Sequence, residues 1–251
     1  MTTIDTAGST KDATATTGSK GTRMLGAVVA VGFVALAALA LFITPPEATQ
    51  RDAFRLIYIH VPSAIVSLYI AFSITLVGSI MYLWKKSVFW DLMAEASAEI
   101  GVIFLGLTLI TGMLWGRPTW GTYWIWDPRL TSTAVSFVLY SGYLAVRRLD
   151  MDPTVRSKRA AILGIVSFAN LIIVRYSVQW WDSLHQGQTF DVADTQMDGI
   201  MLFTFVFGVI VMNLFFGWLL IHRFRVAWLE HQIADVGLTE AIEARRREGV
   251  S

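Results

Sequence analysis

Six apolar runs, each of roughly 17–25 residues, recur along this 251-residue chain, and nothing else in it limits the fold as much. They cover residues 24–43, 62–84, 99–114, 130–146, 160–178 and 199–221. As helices, runs of this length cross the ~30 Å of hydrocarbon in a bilayer. Composition agrees, with 55% hydrophobic and 16% charged residues, against about 45–50% and 25% in soluble domains. The bilayer is therefore the solvent, and the expected fold is all-α, a polytopic transmembrane helical bundle of six spans. An even number of spans puts both termini on one side.

Charge placement says which side. Fifteen of the 20 Lys and Arg fall in one set of segments: Lys11, Lys20 and Arg23, then Lys85 and Lys86, then the 147–159 connection, then the tail after residue 222. The opposite set holds Arg51, Arg55, Arg117, Arg129 and Arg175. Basic connections stay inside, so both termini are expected in the cytoplasm. The first run is too long for a signal-peptide core, and Thr44-Pro45-Pro46 is a poor cleavage site, so it counts as a span. The chain thus divides into a disordered cytoplasmic tail (1–22), a six-span domain (23–222) and a charged cytoplasmic tail (223–251). Residues 44–61, 115–129 and 179–198 form outer loops, and 87–98 a short amphipathic inner connector. No cysteine is present, which excludes disulfides, thiolate metal sites, iron–sulfur clusters and thioether attachment of a haem.

The middle outer loop holds four of the chain's ten tryptophans, Trp115, Trp120, Trp124 and Trp126, within twelve residues. Single tryptophans at span ends, such as Trp84, Trp218 and Trp228, suit an interfacial belt. This loop instead alternates rings with Gly116 and Gly121, which suits a flat aromatic ligand better. Asp127 followed by Pro128 reads as a helix start, or else Asp127 orients a ligating histidine. Arg117 and Arg129 match carboxylates such as haem propionates, or pair locally with Asp127. Of four histidines, His222 and His231 fall among inner-side charges. His60, just before the second span, and His185, in the last outer loop beside Trp180, Trp181 and Asp182, share the outer face with the tryptophans. Two neutral imidazoles on one side of the bilayer are a way to ligate haem iron from both faces. Asn170 and Asn213 are expected to bond between helices.

The segment Trp-Gly-x-x-Trp-x-Trp-Asp over residues 120–127 resembles the tryptophan-rich signature of haem-handling membrane proteins. With Tyr58-Ile59-His60-Val61-Pro62 and Trp180-Trp181-Asp182-Ser183-Leu184-His185-Gln186-Gly187, residues 24–225 resemble the cytochrome c maturation protein C (haem exporter protein C) family. The resemblance implies a non-enzymatic subunit of the bacterial inner membrane that holds haem b, non-covalently and transiently, at the periplasmic face. It implies His60 and His185 as axial ligands, and Trp115, Trp120, Trp124, Trp126 and Asp127 as the haem platform, with Arg129 beside it. The implied partners are a periplasmic haem chaperone, an ATP-binding-cassette ATPase, its membrane subunit and a small single-span subunit. Membrane lipid is a further expected partner, and nucleic acid is not one. A b-type redox subunit would place histidines inside the spans, and a permease would show inverted repeats and broken helices. A haem lyase of the same superfamily would need more spans.

Overall fold

The computed structural model describes residues 18–185, 197 and 199–248. Its architecture is all-α: α1 (Lys20–Ile43), α2 (Asp52–Lys85), α3 (Val88–Trp120), α4 (Pro128–Arg147), α5 (Pro153–Trp180) and α6 (Gly199–Glu248). Five of these are long and apolar enough to cross a membrane. The exception, α4, has 20 residues, about 30 Å of helix, and turns Ser132, Thr133, Ser136, Tyr140 and Tyr143 into the bundle.

Local chemistry sets where each helix begins and ends. Ser19 and Thr22 cap α1 reciprocally. Two Asp-Pro pairs start helices: the Asp127 carboxylate accepts from Arg129 N and Leu130 N for α4, and Asp152 accepts from Val155 N for α5. The α2–α3 turn places Lys86 in the left-handed region (φ 53°). Gly121 (φ 81°) ends α3 by donating its N–H to the Arg117 carbonyl at 3.1 Å, a conformation that glycine adopts without strain.

Hydrocarbon offers polar groups no water, and several hydroxyls in the spans bond back to their own helices. Ser132, Thr133 and Ser136 do so in α4. Asn170 of α5 donates across to Ser132 O (2.8 Å) and Ser136 Oγ (2.7 Å), as expected, whereas Asn213 donates to Val209 O within α6. Close approach falls at glycines: a Cβ on Gly101 would stand 2.7 Å from the Phe72 ring, and one on Gly78 2.9 Å from Trp90 O. Phe72 in turn stacks on Tyr140 at 3.6 Å. Trp84 is exposed, as a belt residue should be, but Trp218 donates to Thr22 O and fills the α1–α6 contact at Gly26.

At the end of the bundle where α1 begins, one expectation changes and another, a charged helix after residue 222, is extended. Residues 87–98 are not a separate connector; from Val88 on they are the first turns of α3. The segment after residue 222 continues α6, whose 50 residues reach about 75 Å. The acids in the first turns of α3 are neutralised by the bundle itself. Arg147 holds Asp91 (2.7 and 2.9 Å) and Glu95 (2.8 Å), Ser157 donates to Asp91 (2.7 Å), and Arg223 pairs with Glu99 (3.0 Å). This network ties α3 to α4, α5 and α6. Breaking a buried ion pair from one side costs about 3–5 kcal/mol, whereas an exposed pair such as Arg247–Glu243 contributes less than about 1 kcal/mol. Asp91→Ala is therefore expected to lower the thermal midpoint in detergent strongly and Glu243→Ala hardly at all; equal midpoints would contradict the role given to the network.

Candidate functional site

The opposite end of the bundle gathers the residues singled out by sequence. His60 is not in a loop before the second span: it lies on α2, which begins with a 3-10 turn at Asp52–Leu56, and Pro62 sits inside that helix. Pro62 has no N–H, so Tyr58 O loses its helical partner. There α6 comes close, and a Cβ on Gly208 would stand 3.0 Å from Tyr58 O. A π segment, Ile65–Ala71, follows.

The His60 ring is half-buried against α3. Its Nδ1 lies 3.0 Å from Thr108 O and 3.1 Å from Thr111 Oγ1. A Cβ on Gly112 would be 2.9 Å from its Cε1, so the ring packs on bare backbone. Trp115 meets the imidazole edge-on, with centroids 5.7 Å apart. Trp115 is held in turn by Phe54 (6.0 Å) and by its own Nε1–H, donated to Gln50 Oε1 at 2.6 Å. One turn further along α3, Trp120 packs over Gly116 and lies 6.1 Å from the His185 ring. His60 and His185 are near enough to interact electrostatically. The last turns of α3 thus run from one histidine to the other.

Residues 115–120, expected in a loop, are helical, and the loop proper is 121–127. The four tryptophans do not form one wall. Trp115 and Trp120 face the histidines, while Trp124 and Trp126 pair edge-on with each other (5.8 Å) and Trp126 is 83% exposed. Arg117 donates to Gly121 O (2.9 Å) and lies over the Tyr123 ring. Arg129 donates weakly to Arg175 O (3.5 Å), and its buried Nε has no hydrogen-bond partner among the described residues. Neither arginine makes an ion pair with Asp127 among those residues.

Asp127 serves both ends of its carboxylate. Oδ1 caps α4, and Oδ2 accepts from Ser183 Oγ (2.6 Å) and Leu184 N (2.9 Å). Ser183 Oγ then accepts from His185 N (3.1 Å). Helix capping and placement of the His185 segment are thus one interaction, made through the backbone of that segment. Burial pushes the Asp127 carboxyl up, but the bonds from Ser183, Arg129, Leu130 and Leu184 outweigh it and hold the group below its ordinary value. Trp180 stacks on Tyr176 (5.4 Å) and meets Trp181 edge-on, both rings half exposed. Gln186 and Gly187, and the rest of the last loop to 196, lie outside the described residues. His222 and His231 lie on α6 against Trp218 and Trp228, on its stretch towards the chain terminus. Thr108, Thr111, Gly112, Gln50 and Ser183 were not singled out from sequence.

Asn has a single acceptor oxygen, so Asp127→Asn can keep the α4 cap or the Leu184 N–H, not both. That variant is expected to fold with near-native stability while hydrogen–deuterium exchange at Leu184 accelerates. Asp127→Ala should lose both and about 1–2 kcal/mol. A carboxyl lowered on folding contributes fully above its unfolded value of about 3.9 and loses the contribution as pH falls through the lower folded value. Protection of Leu184 should therefore persist at pH ~4.5 and fail only below ~3.9. Unchanged exchange in both variants would contradict the tether.

Comparison with known proteins gives the same direction. The family model described as Heme exporter protein C matches residues 5–238. The Bradyrhizobium diazoefficiens protein called Heme exporter protein C is 34% identical over 219 residues, 85% of this chain and 82% of that protein. Its namesake in Escherichia coli K12 is 41% identical over 145 residues, 58% of this chain and 59% of that protein. The one in Haemophilus influenzae is 34% identical over 194 residues, 76% and 77% of the two chains. With most of its length matched by the family model, the chain belongs to the Heme exporter protein C family.

Proposed function

We propose that this chain holds haem b at the outer face of a bacterial inner membrane, between His60 and His185, and presents it to a periplasmic haem chaperone during c-type cytochrome biogenesis. The haem is cargo, so the chain has no catalytic turnover of its own. One observation carries the reading: two imidazoles from distant parts of the sequence come together, each with a tryptophan of α3 against it. Two nitrogen donors flanked by broad apolar rings fit a planar macrocycle with two axial positions. The Arg129 guanidinium, with its buried Nε lacking a partner among the described residues, fits a propionate. Trp124, and above all the exposed Trp126, extend the platform towards whatever receives the cargo.

The chain's own contributions are distinct. His60 sits on a rigid helix, while His185 sits in a loop tethered by Asp127, so one side of the site is fixed and the other can be released. The bias of Lys and Arg towards the terminal end supports placing both termini, with tails 1–22 and 223–251, in the cytoplasm and segments 44–61, 115–129 and 179–198 outside. The family supports working alongside an ATP-binding-cassette ATPase, its membrane subunit and a small single-span subunit, whose hydrolysis of ATP releases the loaded chaperone.

The test is haem retained through purification, with chaperone loading measured in parallel. His60→Ala and His185→Ala should each insert normally in the membrane and lose most of the haem. Trp120→Ala should reduce retention less, since it removes a packing face and leaves both ligands. Native retention and loading in both histidine variants would overturn the ligand assignment.

A further inference from the structure

We infer that Thr111, together with the Thr108 carbonyl, is a positioning pair that fixes His60 as the Nδ1–H tautomer, and that it keeps this imidazole a moderate rather than a strong ligand. The first part stands on hydrogen-bond geometry alone; the second rests on the haem-holding role proposed above.

A carbonyl oxygen can only accept, so the 3.0 Å contact between His60 Nδ1 and Thr108 O requires a proton on Nδ1. A hydroxyl could have played either part, but the Thr111 proton is already committed. Thr111 Oγ1 donates to Leu107 O at 2.7 Å, with Thr108 O a longer second acceptor at 3.2 Å. Its lone pairs therefore face His60, and the 3.1 Å contact adds a second acceptor to the same Nδ1–H. The Thr108 hydroxyl is likewise committed, to Phe104 O at 2.8 Å, and does not compete. In the neutral ring this leaves Nε2 with a bare lone pair. Among the described residues, no hydrogen bond is made at Nε2. Gly112 completes the cradle, because any Cβ there would stand 2.9 Å from Cε1, the atom between the two nitrogens. Thr108, Thr111 and Gly112, on one wall of α3, thus supply two acceptors and a gap.

The nature of the acceptors sets the strength of the ligand. A ligating histidine whose second N–H goes to a carboxylate becomes more basic and binds its metal more tightly. Here both acceptors are neutral oxygens. The buried carboxylate at this end, Asp127, has both its oxygens occupied by Arg129 N, Leu130 N, Ser183 and Leu184. Neutral acceptors orient His60 and raise its basicity less than a carboxylate would, which suits a cargo that must be handed on.

The tautomer is read in haem-free protein with 15N-labelled histidine, by nitrogen NMR in detergent, with His60 assigned from the signals missing in His60→Gln. Expected are a protonated Nδ1 and a bare Nε2 in the wild type and in Thr111→Ser, and in Thr111→Val, where Thr108 O remains as acceptor, a protonated Nδ1 whose resonance is shifted by the loss of its second acceptor. In haem-loaded protein, Thr111→Val should weaken retention about tenfold and shift the absorption spectrum, with Thr111→Ser restoring both. A wild-type ring protonated at Nε2, or a Thr111→Val variant indistinguishable from wild type in both readouts, overturns the inference. If instead the tautomers behave as expected while His60→Ala keeps its haem, the lock stands and the ligand reading falls.

Discussion

Hydrocarbon gives a backbone no partner, and every other feature of this chain is arranged around that constraint. The helices satisfy most of their own peptides, and several of the hydroxyls they carry bond to carbonyls one turn back. Charges are admitted where another helix neutralises them, as Arg147 does for Asp91 and Glu95. Chemistry that needs uncommitted donors, acceptors or lone pairs is pushed to the ends of the bundle. At one end it becomes a set of ion pairs between helices; at the other it becomes the histidine and tryptophan site.

The helix α3 joins these two ends. Its first turns carry Asp91, Glu95 and Glu99, held by α4 and α6, and its last turns carry Thr108, Thr111, Gly112, Trp115 and Trp120 against the two histidines. Because α3 runs unbroken through both, the wall behind His60 is anchored by the ion-pair network rather than by the loops around it. His185 is placed differently, through an aspartate that must also start α4. His60 therefore shares the fixity of the bundle. The His185 segment is held in part by a carboxylate that also starts a helix.

The periodic, long-range part of this architecture was readable in the sequence, because apolar runs of membrane length can do little else. The helix ends were less so. Residues 87–98 read as a short amphipathic connector, and only the fold brings Arg147 to Asp91 and Glu95. Pro118 and the glycines around it suggest a loop over 115–120, yet α3 continues to Gly121, where the left-handed conformation is needed. The site divides in the same way. His60, His185, Trp115 and Trp120 could be selected by type and by side of the bilayer, and Asp127 by its Pro128 neighbour. Thr108, Thr111 and Gly112 could not, since a threonine in a span ordinarily bonds to its own helix. Their second task arises only because His60 packs on them. Asp127 caps α4 with one oxygen, as its Pro128 neighbour suggests, and with the other holds Ser183 and Leu184 beside His185, a contact that the sequence does not display.

The central claim is that one haem is held by both outer histidines at once. The most direct test is the low-temperature electron paramagnetic resonance spectrum of the oxidised, haem-loaded protein in detergent. Two axial imidazoles should give a low-spin signal in the wild type, and removal of either ring, in His60→Ala or His185→Ala, should convert it to high spin or abolish it. A high-spin wild type, or a low-spin signal that survives both substitutions, would contradict the claim.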